Sequence, residues 1–207
     1  MLWRPNFKRK KERSKARLPP GQRWVKGWPV LHEGSVPIFN PETWRLRVYG
    51  EVETPLELSW AEFSTLPTQS VTKDWHCVTT WSKKDNQWSG VSVSEILNRV
   101  TPKATAKFVT IRAFDELSYT TNLTMDDFAR PENLLCTHRN GEALDPKHGG
   151  PMRLIVHHLY AWKSAKWVCD IELRSEDQRG FWETRGYHNH ADPWLEERYS
   201  YQEKENG

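Results

Sequence analysis

The sequence predicts an α+β domain with mixed β-sheets and short helices, and three observations carry this prediction. Several segments alternate apolar with polar residues, as half-buried strands do. The segments with helical spacing are short and lie between strands. Among 207 residues, 12 Trp, 6 Tyr and 7 Phe supply a large buried surface, although hydrophobic residues make up only 37% of the chain. Without an internal repeat or a long linker, we expect one folded domain.

The N-terminal residues differ in composition from the rest of the chain. Most residues from Lys8 to Arg17 are charged, and the sequence LPPGQ that follows ends any helix, because proline has no amide proton. We therefore expect residues 1–18 to form a mobile basic arm and residues 19–207 to form the domain. The arm is either a solubilising tail or a contact for a phosphate-rich or membrane surface.

The first half of the domain combines strands with two short helices. Trp44 and Val48 alternate with polar residues in TWRLRVYGEV, which predicts a half-buried strand. Ser59 and Glu62 form the capping box of a short helix in SWAEFSTLP. A second helix is expected in SVSEILNRV after a serine cap. The segment between these helices contains Cys77 among many turn-forming residues and tryptophans, so we expect an irregular loop there.

The second half continues with short strands. Two strands are predicted around a turn at residues 115–116, followed by a short helix, a strand and a hairpin turn at the Asn-Gly sequence of residues 140–141. Two further strands are expected at residues 154–157 and 167–173, separated by a basic loop. The aromatic tail from Gly180 onward is predicted to be irregular.

Charge and cysteine content restrict the class of protein. The chain has 30 basic and 27 acidic residues, a near balance that does not indicate a nucleic-acid-binding protein. Cys77, Cys136 and Cys169 lie too far apart for a CxxC zinc site and are too few for a disulfide scaffold, which indicates a reducing compartment. No apolar run is long enough to cross a membrane. We therefore expect a cytoplasmic protein.

Cys77 is the first candidate for chemistry. A thiolate is a strong metal ligand and nucleophile, and nearby cations or hydrogen-bond donors lower the pKa of the thiol. His76, Lys73 and Lys83 are close in sequence, and hydroxyl groups follow at Thr79 and beyond. The alternative is a buried, unreactive cysteine, a role that is common for free cysteines and that we expect for the other two thiols.

A second candidate site lies in the sequence DPKHGGPMRLIVHHLYAWKSAKW. Two glycines between His148 and Arg153 allow backbone amides to approach an anion, and the guanidinium can bind a phosphate in a bidentate manner. Ser164 follows in a donor-rich loop between Lys163 and Lys166. Together the two parts predict a pocket for a phosphorylated or highly polar cofactor.

A zinc-dependent hydrolase is one alternative function. Its candidate ligands are His157, His158 and the sequence HNHAD, which contains His188, His190 and Asp192. Adjacent histidines on a strand point to opposite faces, so one residue of the first pair at most can line a given site.

Two other functions also fit parts of the sequence. A hydrolase with Cys77 as nucleophile would use a histidine as base, although nothing in the sequence resembles an oxyanion loop. A non-enzymatic module that binds anions or nucleic acid would use the basic arm and the aromatic tail.

Three groups of segments carry a resemblance to a known family: DWHCVTTWS with WSGVSVSEIL, HGGPMRLIV with YAWKSAKWV, and GFWETRGYHNHADPW. They resemble the molybdopterin-binding oxidoreductase domain of the sulfite oxidase superfamily, in particular its short, single-domain bacterial members. The match runs in order from LPPGQ to DPWLEERY. It implies the sulfite oxidase-type fold and a mononuclear molybdenum bound by the two dithiolene sulfurs of molybdopterin, by oxo or hydroxo ligands and by one protein thiolate.

The resemblance also implies roles for individual residues. Cys77 matches the metal-ligating, catalytic cysteine of the family. Residues between Trp28 and His32 are expected to supply pterin contacts. The other expected cofactor contacts are His148, Arg153, Lys163, Ser164, Ala165, Lys166 and Arg112.

The implied chemistry is two-electron oxygen-atom transfer, because such a centre cycles molybdenum between its hexavalent and tetravalent states. Sulfite oxidases carry an anion-binding arginine shortly after the cysteine, whereas here Cys77 is followed by VTTWS, closer to the pattern of methionine sulfoxide reductases. The expected substrate is a small-molecule oxygen donor or acceptor. The sequence does not choose between a sulfite-like anion, a sulfoxide and an N-oxide. A separate electron-transfer partner is expected, and no nucleic-acid partner.

Overall fold

The computed structural model describes residues 17–203 of the chain. Residues 1–16, which make up most of the predicted basic arm, lie outside this part. Arg17 is included, and its guanidinium contacts the carboxylates of Asp74 and Asp85 at 2.6 Å each. No helix in the described part is long and apolar enough to cross a membrane.

The first sheet has six strands and positions most of the candidate site. Its central path runs β1-β5-β8-β10, while β4 pairs with β5 and β9 pairs with β8. The β1–β5 pair is parallel and the other pairs are antiparallel. The strands are β1 (Arg23–Trp24), β4 (Thr68–His76), β5 (Trp81–Ser92), β8 (Leu134–Arg139), β9 (Glu142–Ala143) and β10 (Arg153–Ile155).

The prediction of an irregular loop around Cys77 is wrong. The segment forms a long hairpin of β4 and β5, with Cys77 in the turn. Several polar residues of the hairpin are exposed, whereas Trp75, Trp81 and Trp88 are buried. The strand register shifts between Lys73 and Trp75. Because of this shift, apolar and polar residues do not alternate with a regular period of two, and the sequence alone does not indicate a strand.

The second sheet has five strands in the order β3-β2-β11-β6-β7. Its β2–β11 pair is parallel and the remaining pairs are antiparallel, so both sheets are mixed, as predicted. Strands β2, β6, β7 and β11 lie where the sequence places them. The strands are β2 (Arg45–Gly50), β3 (Leu56–Ser59), β6 (Phe108–Ala113), β7 (Thr120–Thr124) and β11 (Val168–Arg174).

In residues 17–203 three short α-helices connect the strands, which confirms the α+β class. Helix α1 (Trp60–Ser64) begins at the predicted capping box. Helix α2 (Val93–Val100) is capped by the side chain of Ser92, and it buries Val93, Ile96, Leu97 and Val100. Helix α3 (Met125–Phe128) follows β7 directly. As far as residue 203, the tail consists of single 3₁₀ turns, one isolated β-bridge and irregular segments, in agreement with the irregular tail that the sequence predicts.

The buried side chains form two clusters. The larger one packs the second sheet and helix α2 against the apolar faces of β8 and β10. The smaller one is rich in aromatic rings and includes Trp75, Cys77, Trp88 and Tyr160. This second cluster forms one side of the cavity described below. The packing that buries these tryptophans therefore also shapes the candidate site.

Candidate functional site

A cavity of about 300 Å³ collects side chains from both sheets and from the loops between them. Cys77 lies at the tip of the β4–β5 hairpin, Arg153 begins β10, and Thr121 belongs to β7 on the other sheet. The volume lies in the range of small-molecule and cofactor sites. Of the eight predicted catalytic and cofactor-binding residues, the cavity is lined by six: Cys77, His148, Arg153, Ser164, Ala165 and Lys166.

A tight turn holds Cys77 against the cavity. Its N–H donates to the carbonyl of Trp81 at 2.9 Å, and Thr80 closes the turn with a positive φ of 71°. The Sγ atom lies 3.2 Å from the hydroxyl of Thr79, and the Cys77 carbonyl accepts a hydrogen bond from the side chain of Gln22. Burial raises the pKa of the Cys77 thiol, and the bonds from Thr79 oppose this shift. A metal cation bound to Sγ would lower the pKa of this thiol and favour the thiolate.

The other two cysteines lie away from the cavity lining. Cys136 is fully buried in β8 and Cys169 is half-buried in β11. Burial raises the pKa of Cys136 to about 11 and that of Cys169 to about 12, so both remain protonated at neutral pH. Their environment agrees with the unreactive role expected from the sequence.

Arg153 is a buried cation without an anionic partner. Its side chain donates to the carbonyls of His148 and Ser164, both at 2.7 Å, while its Nε atom has no hydrogen-bond partner. In residues 17–203 it forms no ion pair with a carboxylate. Burial lowers the pKa of Arg153 to about 10. A buried, unpaired charge is costly, so this end of the cavity is suited to an anion.

Lys166 adds a second cation at the same end. Its Nζ donates to the carbonyls of Leu31 at 2.9 Å and Lys147 at 2.6 Å. Burial, and next the charge of Arg153, lower the pKa of Lys166 to about 7. An anion bound between the two side chains would reverse that shift, because opposite charges favour the protonated amine.

The turn at Gly149 and Gly150, here called the glycine turn, allows the backbone to pass close to these two cations. Gly149 has a φ of +105°, and a Cβ atom there would lie 3.0 Å from the Lys166 side chain and 3.1 Å from that of Arg153. At Gly150 a Cβ would lie only 2.1 Å from the carbonyl oxygen of Leu144. Only glycine satisfies both positions, and this explains the HGG sequence.

The segment after β1 covers one side of the cavity. Trp28, Leu31 and His32 line it, in agreement with the expected position of this segment. The Trp28 indole stacks on the His148 ring, and its carbonyl lies 3.1 Å from His148 Nε2. The guanidinium of Arg139 lies 4.3 Å from the centre of the same indole, a cation–π contact.

Two predicted cofactor contacts lie outside the cavity lining. Lys163 is completely buried behind the wall, where its Nζ lies 2.6 Å from Glu183 and donates to Asn122. Arg112 lies on the exposed face of the second sheet, 3.5 Å from Asp170. The family resemblance implies both contacts, Lys163 because it adjoins the loop of Ser164. The turn of the chain and the strand alternation direct both side chains elsewhere.

The structure adds an aromatic wall that the sequence did not identify. Trp162 packs on Tyr187 with 5.2 Å between ring centres, and Trp182 packs on the same tyrosine at 5.3 Å. These rings and Tyr119 line the cavity. The only signal in the sequence was an aromatic-rich tail, which core packing explains equally well.

Two of the histidines considered as zinc ligands, His158 and His190, form hydrogen bonds with carboxylates instead. Asp127 lies 3.0 Å from His158 and 3.2 Å from His190, which also contacts Glu197 at 2.7 Å. In residues 17–203 no group of three or more His, Cys, Asp or Glu side chains is arranged to hold a metal ion. The zinc hydrolase is therefore not favoured. His158 also lies after β10 rather than within it, so the strand argument for the histidine pair does not apply.

Comparisons with known proteins agree with this geometry. The family model of the oxidoreductase molybdopterin-binding domain matches residues 33–182. An uncharacterized oxidoreductase, YuiH of Bacillus subtilis, is 43% identical over 186 residues, which cover 89% of this chain and 93% of the relative. The catalytic subunit of protein-methionine-sulfoxide reductase, MsrP, of Campylobacter jejuni is 30% identical over 161 residues, 70% of this chain and 54% of the relative.

A solved structure shares the fold. The sulfane dehydrogenase SoxCD from Paracoccus pantotrophus superposes with a TM-score of 0.64 at 22% sequence identity. The superposition covers 70% of this chain and 41% of the SoxCD chain. The chain thus spans about half the length of MsrP and less of SoxCD.

Proposed function

The chain belongs to the oxidoreductase molybdopterin-binding domain family, and we propose that it catalyses two-electron oxygen-atom transfer at a molybdenum ligated by Cys77. The cofactor of the family is molybdenum bound to molybdopterin. One observation carries the proposal: a single cysteine thiol and a buried arginine without a counter-ion line the same cavity.

The residues of the cavity fit this cofactor. A terminal phosphate supplies the anion that Arg153 and Lys166 lack, and the close passage of Gly149 leaves room for its oxygens. The absence of a multi-residue metal site in residues 17–203 suits a metal that receives most of its ligands from the cofactor and one from the protein. His148 is held by Trp28 beside these cations, where it would contact a bound pterin.

The bound cofactor supplies the two-electron redox chemistry and the oxygen-transfer site. The chain supplies the thiolate of Cys77, and the Thr79 hydroxyl 3.2 Å away donates to that sulfur and limits its basicity. Arg153 and Lys166 would hold the phosphate, and the rings of Trp162, Trp182 and Tyr187 would exclude bulk water from the reacting end.

We propose an uncharged oxygen donor, such as a sulfoxide or N-oxide, as the substrate. The residues from Cys77 to Trp81 include no cation. Arg198 donates to the Val78 carbonyl of this turn but does not line the cavity, and the wall beside the turn is aromatic. Aromatic rings make favourable contacts with sulfur. The relative MsrP, which is named a protein-methionine-sulfoxide reductase, supports this choice.

Electrons would come from a separate carrier. The cytoplasm is the proposed location because all three cysteines are free thiols, which persist in a reducing compartment.

The test combines metal analysis with turnover. Protein produced in a host that makes molybdopterin should contain about one molybdenum per chain, the stoichiometry of a mononuclear site. It should also reduce a sulfoxide or N-oxide in the presence of an artificial electron donor. Cys77→Ser should abolish turnover and the thiolate-to-metal absorption band. A matched Cys169→Ser variant should keep both. Zinc in place of molybdenum, or full activity in Cys77→Ser, would refute the proposal.

A further inference from the structure

Four cations next to the cavity have no acidic partner. They are Lys26, Lys83, Arg139 and Lys147, here called the basic strip. In the described part of the chain none of the four forms an ion pair with a carboxylate, and Arg139 differs in this from most arginines there. Unpaired surface cations of this kind produce a positive local potential despite the net charge of only +3.

Contacts between these residues and Trp28 define the position of the strip. The Nζ of Lys83 donates to the carbonyl of Lys26. The Arg139 guanidinium lies on Trp28, and its charge is near enough to help lower the pKa of Lys83, after burial. Lys147 directly precedes His148, whose ring stacks on the same indole. The basic strip therefore follows the outer side of the segment that closes the cavity.

Two carboxylates lie beside the strip, Glu142 opposite Arg139 in the β8–β9 pair and Asp145 next to Lys147. In the described part of the chain neither forms an ion pair with the strip, so its four cations have no ion-pair partner. A partner with an acidic surface is attracted to the side on which Trp28 separates the cavity from solvent.

We propose that the basic strip docks a small acidic electron-carrier protein that holds a flavin or an iron–sulfur centre. The inference rests on the proposed function, because it names the class of carrier for that site. Each docking event transfers one electron. Two reduced carriers and two protons from solvent convert the transferred oxygen atom to water, and the oxygen donor leaves reduced by two electrons.

The location favours short-range electron transfer. Trp28 contacts the strip through Arg139 and the cavity through His148. A carrier docked on the strip is separated from the cavity by little more than this aromatic layer. None of the four cations lines the cavity, so charge reversal there changes docking without changing the proposed cofactor contacts.

The test uses the full-length, cofactor-loaded chain with two acidic probes, a plant-type [2Fe–2S] ferredoxin and a flavodoxin. Binding and the KM for reduced carrier are measured at low and high salt. The strip variant is Lys26→Glu with Lys83→Glu. The matched control is Lys103→Glu with Lys107→Glu, two exposed lysines before β6 in the second sheet region. Reduced benzyl viologen serves as a small donor that needs no docking surface.

At least one probe should bind at low salt and weaken as salt rises. The strip variant should raise its Kd and KM by about tenfold or more, as expected for the loss of steering charges. The control variant and the viologen-driven rate should not change. Failure of both probes to bind, or equal affinity of the two variants, would overturn the inference. The inference would also be overturned if duplex nucleic acid or anionic vesicles bound through the strip more tightly than ferredoxin and flavodoxin do.

Failure of the proposed function gives a different result. If the chain carries no molybdenum or shows no turnover with viologen, oxygen-atom transfer is refuted, whereas binding of ferredoxin or flavodoxin is still measurable by calorimetry. If turnover with viologen is intact and carrier binding is absent, only the docking inference fails.

Discussion

The indole of Trp28 lies parallel to the imidazole of His148, with 3.8 Å between ring centres and 13° between planes. Because Trp28 lies in an irregular segment and His148 just before the glycine turn, this stack joins two distant parts of the chain at the cavity. Burial lowers the pKa of His148, which favours the neutral form of its ring. The stack therefore presents an uncharged, flat surface beside two cations.

Loss of the Trp28 ring should weaken cofactor retention. We expect Trp28→Ala to retain roughly tenfold less pterin after purification, about 1.4 kcal/mol, because one stacked aromatic contact is removed. Fluorescence of the oxidised pterin released by denaturation measures the content. Trp24→Ala is the matched control, since Trp24 is 39% exposed and does not line the cavity. Equal pterin content in the two variants would show that the stack does not hold the cofactor.

Removal of the buried cation should have a larger effect. Arg153→Ala should yield protein with almost no pterin, because breaking a charge-assisted contact in a buried site costs about 2–5 kcal/mol. Arg112→Ala should retain the cofactor, since the structure places Arg112 on the exposed face of the second sheet. Circular dichroism of both variants checks that they fold, and Arg153→Lys provides a folded variant that keeps the charge. Pterin loss in Arg112→Ala would contradict the assignment.

The pair of Lys163 and Glu183 should behave as a buried ion pair. The nitrogen and oxygen atoms are 2.6 Å apart and both side chains are fully buried. Glu183→Gln alone should lower the free energy of unfolding by about 3–5 kcal/mol, because it leaves a buried charge unpaired. The double variant with Lys163→Met should recover most of that loss. Urea denaturation measures both, and additive losses in the double variant would mean that the two residues act independently.

His190 should make stability depend on pH in the mildly alkaline range. Asp127 and Glu197 raise the pKa of His190 to about 9 from its ordinary 6.5. Protonated His190 stabilises the folded state through these two carboxylates. The contribution is fully present below about pH 6.5 and is lost as pH rises through about 9. We expect the free energy of unfolding to fall by about 1 kcal/mol over this range. This figure already allows for solvent screening, because the His190 side chain is 44% exposed.

The measurement for His190 is a series of chemical denaturation curves across this pH range. In His190→Gln the free energy of unfolding should decline less between pH 6.5 and 9 than in the unaltered protein. The difference between these two proteins isolates the contribution of His190 from other titrations. Parallel curves for the two proteins would contradict the expected role.

Local sequence was sufficient for several parts of the fold and site. The capping box of Ser59 and Glu62 depends on residues three apart, and the structure confirms it. The HGG turn brings His148, Arg153 and Lys166 together because a backbone that only glycine adopts determines the path of the chain. That these side chains bind the cofactor stays a prediction, but their common cavity agrees with it.

Other features required the folded chain. The direction of Lys163 depends on a partner 20 residues later, Glu183, which has no recognisable motif. The outward position of Arg112 depends on strand register, and a one-residue difference in register reverses the face of a side chain. The aromatic wall joins Trp162 and Tyr187 through packing that no spacing rule describes.

By itself the sequence determined the α+β class, the short capped helices, the glycine turn and, through a family resemblance, the cysteine that is the proposed metal ligand. The tertiary structure alone decided that the Cys77 segment is a β-hairpin, which cations lack an anion and which aromatic rings enclose the cavity. The physical reason is the range of the interactions. Caps and turns depend on hydrogen bonds between near neighbours, whereas burial, charge pairing and ring packing depend on residues that only folding brings together.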